Sequence, residues 1–165
     1  MKLFELTEDH TKPILLVYGK LCSGKGTYCA NYPDHRKIVT SDIVRYVTGE
    51  TKRSGLATTG HMDWAISQEL IKQIKRLRDQ GEKVIVDGIR QKSIAEDILK
   101  EFGDDVDQIW LDVPKSELKR RYYDRGADKD NQDFETSYEK DEKLGVGELE
   151  PWLKRSPNVK VVDHT

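Results

Sequence analysis

The chain has 165 residues, 36% of them hydrophobic and 35% charged, enough for one substantial core and too few for two comfortable ones. A formal net charge of -2 excludes an overall basic surface of the kind that grips duplex DNA, while leaving room for a local basic patch. No apolar run is long enough to span a membrane and no signal-peptide pattern opens the chain, while Cys22 and Cys29 lack metal-ligand spacing, so the expectation is a soluble cytoplasmic domain with free thiols.

After a polar start, Ile14-Leu15-Leu16-Val17-Tyr18 is a continuous apolar run ending at Gly19, the pattern of a central parallel strand covered on both faces. Lys37 to Thr40 forms a second short strand, and Ser41-Asp42 can cap a helix through about Thr48. Gly49 to Gly60 has loop composition, and Thr59 can cap a long helix to about Asp79. That helix carries Ile66, Leu70, Ile74 and Leu77 as one buried stripe. Val84 to Asp87 is a third strand, Ser93 to Phe102 a helix, and Gln108 to Asp112 a fourth strand. Pro114 opens a charged helix through Arg125, with Leu118 and Tyr122 inward, and Gly126 to Asp133 reads as a short loop. Helices over Glu135–Leu144 and Glu148–Lys154, separated by a turn at Gly145-Val146-Gly147, lead to a last strand over Val159–Val162. Strands alternating with helices throughout predict an α/β fold with an open parallel sheet in a single domain over 1–165.

The first strand runs into Gly19-Lys20-Leu21-Cys22-Ser23-Gly24-Lys25-Gly26-Thr27, which meets the glycine-rich phosphate-loop spacing with Gly26 at the usual Ser/Thr place. Backbone N–H groups converge on a phosphate only where side chains stay clear, which accounts for Gly19 and Gly24. The loop from Gly19 through Cys22, Ser23, Gly24, Lys25, Gly26 and Thr27 is thus expected to cradle the phosphates of ATP, with Lys25 reaching between the β- and γ-phosphates. Thr27 supplies a hydroxyl that can help position Mg²⁺. Asp87, an acid at the end of a buried strand beside this loop, is expected near a cation or the attacking oxygen.

Gly24-Lys25-Gly26-Thr27 resembles the loop of adenylate kinase and its nucleoside monophosphate kinase relatives, with Cys22 where that family often has glycine. Ser41-Asp42-Ile43-Val44-Arg45 resembles the segment after that family's second strand, which implies that Arg45 contacts an acceptor phosphate and Asp42 shares its cleft. Read alone, Asp42 is a helix cap. Asp87-Gly88-Ile89-Arg90 resembles the Asp-Gly-Phe-Pro-Arg motif, shortened by one residue and without its proline, and implies Arg90 on the acceptor phosphate. The same wording occurs in P-loop kinases related to dephospho-coenzyme A kinase. Arg121 and Arg125 stand at the family's offsets from Asp112-Val113-Pro114, which implies catalytic arginines closing over the transferring phosphate.

His61 can hydrogen-bond a base or sugar and Trp64 can stack on one, whereas the plain readings are an exposed histidine and a core tryptophan. Lys140 and Lys143 are weaker candidates from a lid at about 121–143; the acceptor region is about 41–80. The acidic run from Asp128 to Glu142 reads as solvated surface. The resemblance implies a three-layer α/β/α P-loop fold, strand order 2-3-1-4-5, and γ-phosphate transfer from Mg·ATP to a nucleoside or deoxynucleoside monophosphate. Alternative acceptors are dephospho-coenzyme A and a hydroxymethylated pyrimidine in DNA; a nucleotide-binding regulatory module is the alternative outside catalysis. Oligomeric state is open.

Overall fold

A computed structural model describes residues 12–49, 62–127 and 132–165. Five parallel strands, β1 (Ile14–Gly19), β2 (His35–Val39), β3 (Lys83–Asp87), β4 (Val106–Asp112) and β5 (Val159–Asp163), form one sheet in the order β2-β3-β1-β4-β5. The elements between them are α1 (Lys25–Cys29), α2 (Thr40–Thr48), α3 (Asp63–Asp79), α4 (Lys92–Phe102), α5 (Lys115–Asp124), α6 (Phe134–Asp141) and α7 (Gly147–Arg155). This is the expected three-layer α/β/α arrangement.

The continuous apolar run of β1 serves two cores because successive side chains alternate across the sheet. Ile14, Leu16 and Tyr18 pack with α3, α4 and α7 through Leu70, Ile74, Ile94, Ile98, Leu149 and Leu153. Leu15 and Val17 face the other way, toward Tyr28, Cys29, Tyr32, Ile85, Ile109 and Leu111. A third cluster of Leu21, Leu118, Tyr122 and Phe134 joins the loop after β1 to α5 and α6. The predicted stripe on α3 is buried at all four positions. The described helix begins at Asp63; Thr59 lies outside the described residues. No helix among the described residues is long and apolar enough to cross a membrane.

Two local expectations are corrected. Helix α2 starts at Thr40 with no side-chain cap; the carboxylate of Asp42 pairs instead with Arg45 at 3.0 Å, one turn along. The turn expected at residues 145–147 is a kink within a nearly continuous helix, a π turn over Glu142–Val146 joining α6 to α7. Gly145 makes the kink with φ 151°, and a Cβ there would come within 2.6 Å of the Arg90 carbonyl oxygen, so glycine alone fits.

Tyr18 Oη donates to Gln108 Oε1 at 2.5 Å, across two buried side chains on neighbouring strands, and burial pushes the tyrosine hydroxyl far above its usual pKa. Tyr18→Phe leaves the Gln108 amide oxygen unpaired in the core. It is expected to cost about 1–3 kcal/mol in urea unfolding with an unchanged m-value; an unaltered midpoint would show that the bond contributes nothing.

Candidate active site

The loop is shaped by what cannot fit in it. A Cβ on Gly19 would fall 2.2 Å from Ser23 Oγ, and Ser23 is almost fully buried. Ser23 N–H donates to the Lys20 carbonyl at 3.1 Å, closing the turn, and Gly24 follows in the left-handed region at φ 87°. Cys22, at φ 61°, is the one non-glycine among the described residues with positive φ, a conformation an L side chain adopts at a cost. Helix α1 begins at Lys25 and has only five residues, so individual N–H groups matter more there than an aligned dipole.

Lys25 turns back on the loop: its Nζ donates to the carbonyls of Gly19 and Lys20, each at 3.1 Å. Desolvation and the neighbouring Arg90 guanidinium lower its pKa to about 8, against the opposing pull of Asp141 and Asp87. An ammonium held this way is ready to exchange two carbonyl partners for phosphate oxygens.

Around the loop lies a cleft of about 850 Å³. Of the predicted residues, Cys22, Gly24, Lys25, Gly26, Thr27, Asp87, Arg90, Arg121 and Arg125 line it. Gly19 and Ser23 stand behind the lining as the loop's frame. Asp42 and Arg45 do not line it; they form their ion pair outside, where Asp42 is exposed. His61 lies outside the described residues. Trp64 is 73% exposed, which corrects the core reading of that side chain.

Asp87 ends β3 with its carboxylate 3.6 Å from Lys37 Nζ. Arg121 is fixed on three sides: Nε donates to Glu117 at 3.0 Å, Nη1 to the Cys22 carbonyl at 3.3 Å, and Nη2 to the His164 carbonyl at 2.7 Å. Arg125 Nη1 lies 3.4 Å from Cys22 Sγ. Arg120, largely exposed, binds Glu117 and Asp124 and also lines the cleft beside Arg121. Bonds from Arg120, then from Arg121, hold the Glu117 carboxyl down at about 2.

Lys140 and Lys143 do not line the cleft; of the two residues between them, Asp141 turns inward instead. Its Oδ1 accepts from Arg90 Nε at 2.5 Å and its Oδ2 from the loop N–H of Leu21 at 3.0 Å. Glu142 is likewise engaged, pairing with Lys20 at 3.2 Å, so the end of the acidic run is structural rather than solvated. The signal for Asp141 was present as spacing: Phe134, Tyr138 and Asp141 follow at four and three residues, the inward stripe of α6. His164 carried no such signal. It arrives from β5, sets Nδ1 2.8 Å from the Ser23 carbonyl, and fills the space a Cβ on Gly24 would need.

The donors on the cleft wall suit Mg²⁺. Thr27 offers a hydroxyl and Asp87 a carboxylate, both oxygen ligands, and among the described residues no group of three or more His, Cys, Asp or Glu forms a dedicated cage. Magnesium bound beside phosphates keeps several waters and needs only one or two protein oxygens.

Solved structures share the fold. A gluconokinase from Sinorhizobium meliloti 1021 superposes with a TM-score of 0.55 at 14% identity, covering 92% of this chain and 82% of that one. A dephospho-CoA kinase from Campylobacter jejuni gives 0.52 at 14% identity, covering 94% and 90%. A sugar kinase from Janibacter sp. HTCC2649 gives 0.50 at 15% identity, covering 91% and 83%. At such identities the likeness is one of fold, the three-layer α/β/α arrangement. No curated protein sequence matches the chain. The model of one sequence family, described as AAA domain, matches residues 15–145, from β1 to the kink after α6. By that match the chain belongs to the AAA domain family.

Proposed function

We propose that this protein transfers the γ-phosphoryl group of ATP to a hydroxyl of a small-molecule acceptor. One observation carries the reading: a single cleft is lined by the phosphate loop with Lys25, by Arg121 of α5 and Arg125 at its C-terminal end, and by the Asp87 carboxylate at the end of β3. In this mechanism Lys25 and the N–H groups of residues 24–27 hold the donor phosphates. Arg121 and Arg125 meet the negative charge that develops as the bridging P–O bond breaks toward ADP. Asp87 orients the acceptor hydroxyl and takes its proton as the new P–O bond forms. Thr27 and Asp87, through its hydration shell, would hold Mg²⁺, which supplies charge neutralisation between the phosphates.

The choice of a hydroxyl over a nucleoside monophosphate rests on the acceptor side. A dianionic phosphate calls for converging cations, but among the described residues the predicted acceptor pair does not converge: Arg45 is paired with Asp42 outside the cleft, and only Arg90 of the two lines it. The similar folds being a gluconokinase, a sugar kinase and a dephospho-CoA kinase supports the same class. Dephospho-coenzyme A falls within it; a hydroxymethylated pyrimidine in DNA offers the same hydroxyl chemistry on a macromolecule and is the alternative acceptor.

The test is label transfer from γ-³²P-ATP to sugars and sugar acids, dephospho-coenzyme A, all nucleoside monophosphates, and DNA with and without hydroxymethylated pyrimidines. Label on a hydroxyl acceptor is expected. Label on a monophosphate alone would restore Arg45 and Arg90 to an acceptor-phosphate site, and label on nothing would favour a regulatory nucleotide-binding module.

Lys25→Ala is expected to lower transfer about a hundredfold or more with the fold retained. Because the ammonium is present below pH 8 and lost as pH rises through it, ATP affinity should fall about tenfold between about pH 7 and pH 9. Isothermal titration across that range checks this, and Lys25→Ala should remove the dependence; a flat wild-type profile would show that Lys25 stays charged.

Asp87→Asn should slow transfer about a hundredfold while changing the ATP dissociation constant less than about threefold. Equal losses in both would place Asp87 on the donor side only.

A further inference from the structure

The same short segment grips Arg90 at both of its ends. From the side-chain end, Asp141 takes Arg90 Nε at 2.5 Å, while Nη1 lies over Gly88, 3.4 Å from its carbonyl oxygen. From the backbone end, the kink at Gly145 packs so closely on the Arg90 carbonyl and Gln91 Cα that no side chain fits between, and Gln91 Nε2 donates to the Leu144 carbonyl at 3.3 Å. The carboxylate is nearly fully buried, and its second oxygen takes the Leu21 N–H of the phosphate loop. A buried carboxylate is tolerated only where its lone pairs are met, and these two charge-assisted bonds meet them.

Helix α6 therefore touches the two halves of the cleft through one residue. Lys20, next to the bonded Leu21, strengthens the junction: its Nζ donates to Tyr138 Oη at 2.6 Å and pairs with Glu142 and Glu150, each at 3.2 Å. Burial alone would lower the Lys20 ammonium; the bonds to Tyr138, Glu150 and Glu142 outweigh it and raise it.

We propose that Asp141 is a positioning residue that fixes the Arg90 guanidinium by its Nε edge and ties it to the phosphate loop, so that α6, Arg90 and the loop form one preorganised body before any ligand binds. The Nη edge is left over Gly88, beside Asp87, as the working face of the arginine. A side chain already held at one edge loses little rotamer freedom when an oxygen ligand reaches the other, which is where preorganisation enters. The inference rests on the phosphotransfer reading only for what the working face does; the positioning itself is a property of the free protein.

The first test uses the unliganded full chain. The Arg90 Nε–H resonance, assigned by its loss in Arg90→Lys, should exchange with solvent roughly tenfold or more slower than those of exposed arginines. In Asp141→Asn, which keeps an oxygen for the Leu21 N–H but removes the charge, that protection should disappear. Fast exchange in the wild type overturns the proposal without any variant, and persistent protection in a folded Asp141→Asn does the same.

The second test is a double-mutant cycle on binding of a non-hydrolysable ATP analogue and, once an acceptor is found, on kcat/KM. Arg90→Ala should cost at least about fivefold less in the Asp141→Asn background than in the wild type. Additive losses would mean that Asp141 supports the fold and does not act through Arg90. Absence of transfer to every acceptor, with Arg90 protected as expected, would defeat the phosphotransfer reading and leave the positioning intact.

Discussion

The cleft depends on where parallel strands stop. Val17 lies opposite Asp87 and Gly19 opposite Leu111, so β1 runs two residues past the end of β3 before the chain turns. That stagger places the phosphate loop above the edge formed by Asp87 and Gly88, and Gly88 N–H closes the step by donating to the Val17 carbonyl at 3.3 Å. In a parallel sheet every strand presents its carboxyl end to the same side, and the βα connections gather there. The loop after β1, the Asp87–Arg90 turn after β3, and α5 after β4 meet because of that common direction.

Bringing five cations to one end of the sheet raises an electrostatic problem that the rest of the site answers. Among the described residues Lys25, Arg90, Arg120, Arg121 and Arg125 all line the cleft, and Arg90 is close enough to depress Lys25. Each of four has a local counterweight: loop carbonyls for Lys25, Asp141 for Arg90, Glu117 and Asp124 for Arg120, and Glu117 with two carbonyls for Arg121. Such partners hold the charges in place without occupying the cleft, leaving polyanionic ligands to complete the balance. Paired arginines and a folded-back lysine form a site arranged in advance, which is how electrostatic stabilisation escapes the cost of reorganisation.

The far side of the loop is held by a helix rather than by the sheet. Phe134 packs with Leu21, Leu118 and Tyr122, and one and two turns further Tyr138 and Asp141 reach the loop and Arg90. The kink at Gly145 then redirects the chain into α7, whose Leu149 and Leu153 are in the main core. A π turn at this place lets one nearly continuous helix serve the cleft at one end and the core at the other.

Much of this was legible in the residues themselves. Uninterrupted apolar runs such as Ile14–Tyr18 announce strands buried on both faces, and glycines at 19 and 24 announce a backbone that must approach something closely; both are local requirements, met or broken within a few residues. The spacing of Arg121 and Arg125 likewise follows from one helix. Arg45 and Asp42 show the limit: three residues apart, they were free to satisfy each other, and nothing local said whether they would face the cleft or solvent. Asp141, His164 and the kink at Gly145 were decided by packing between segments about 50 to 140 residues apart. The sequence by itself determined the strands, the phosphate loop and the arginine helix, because period and backbone sterics act at short range. Only the tertiary structure decided which charges turn inward, because a buried charge is stabilised by partners that distant chain segments bring to it.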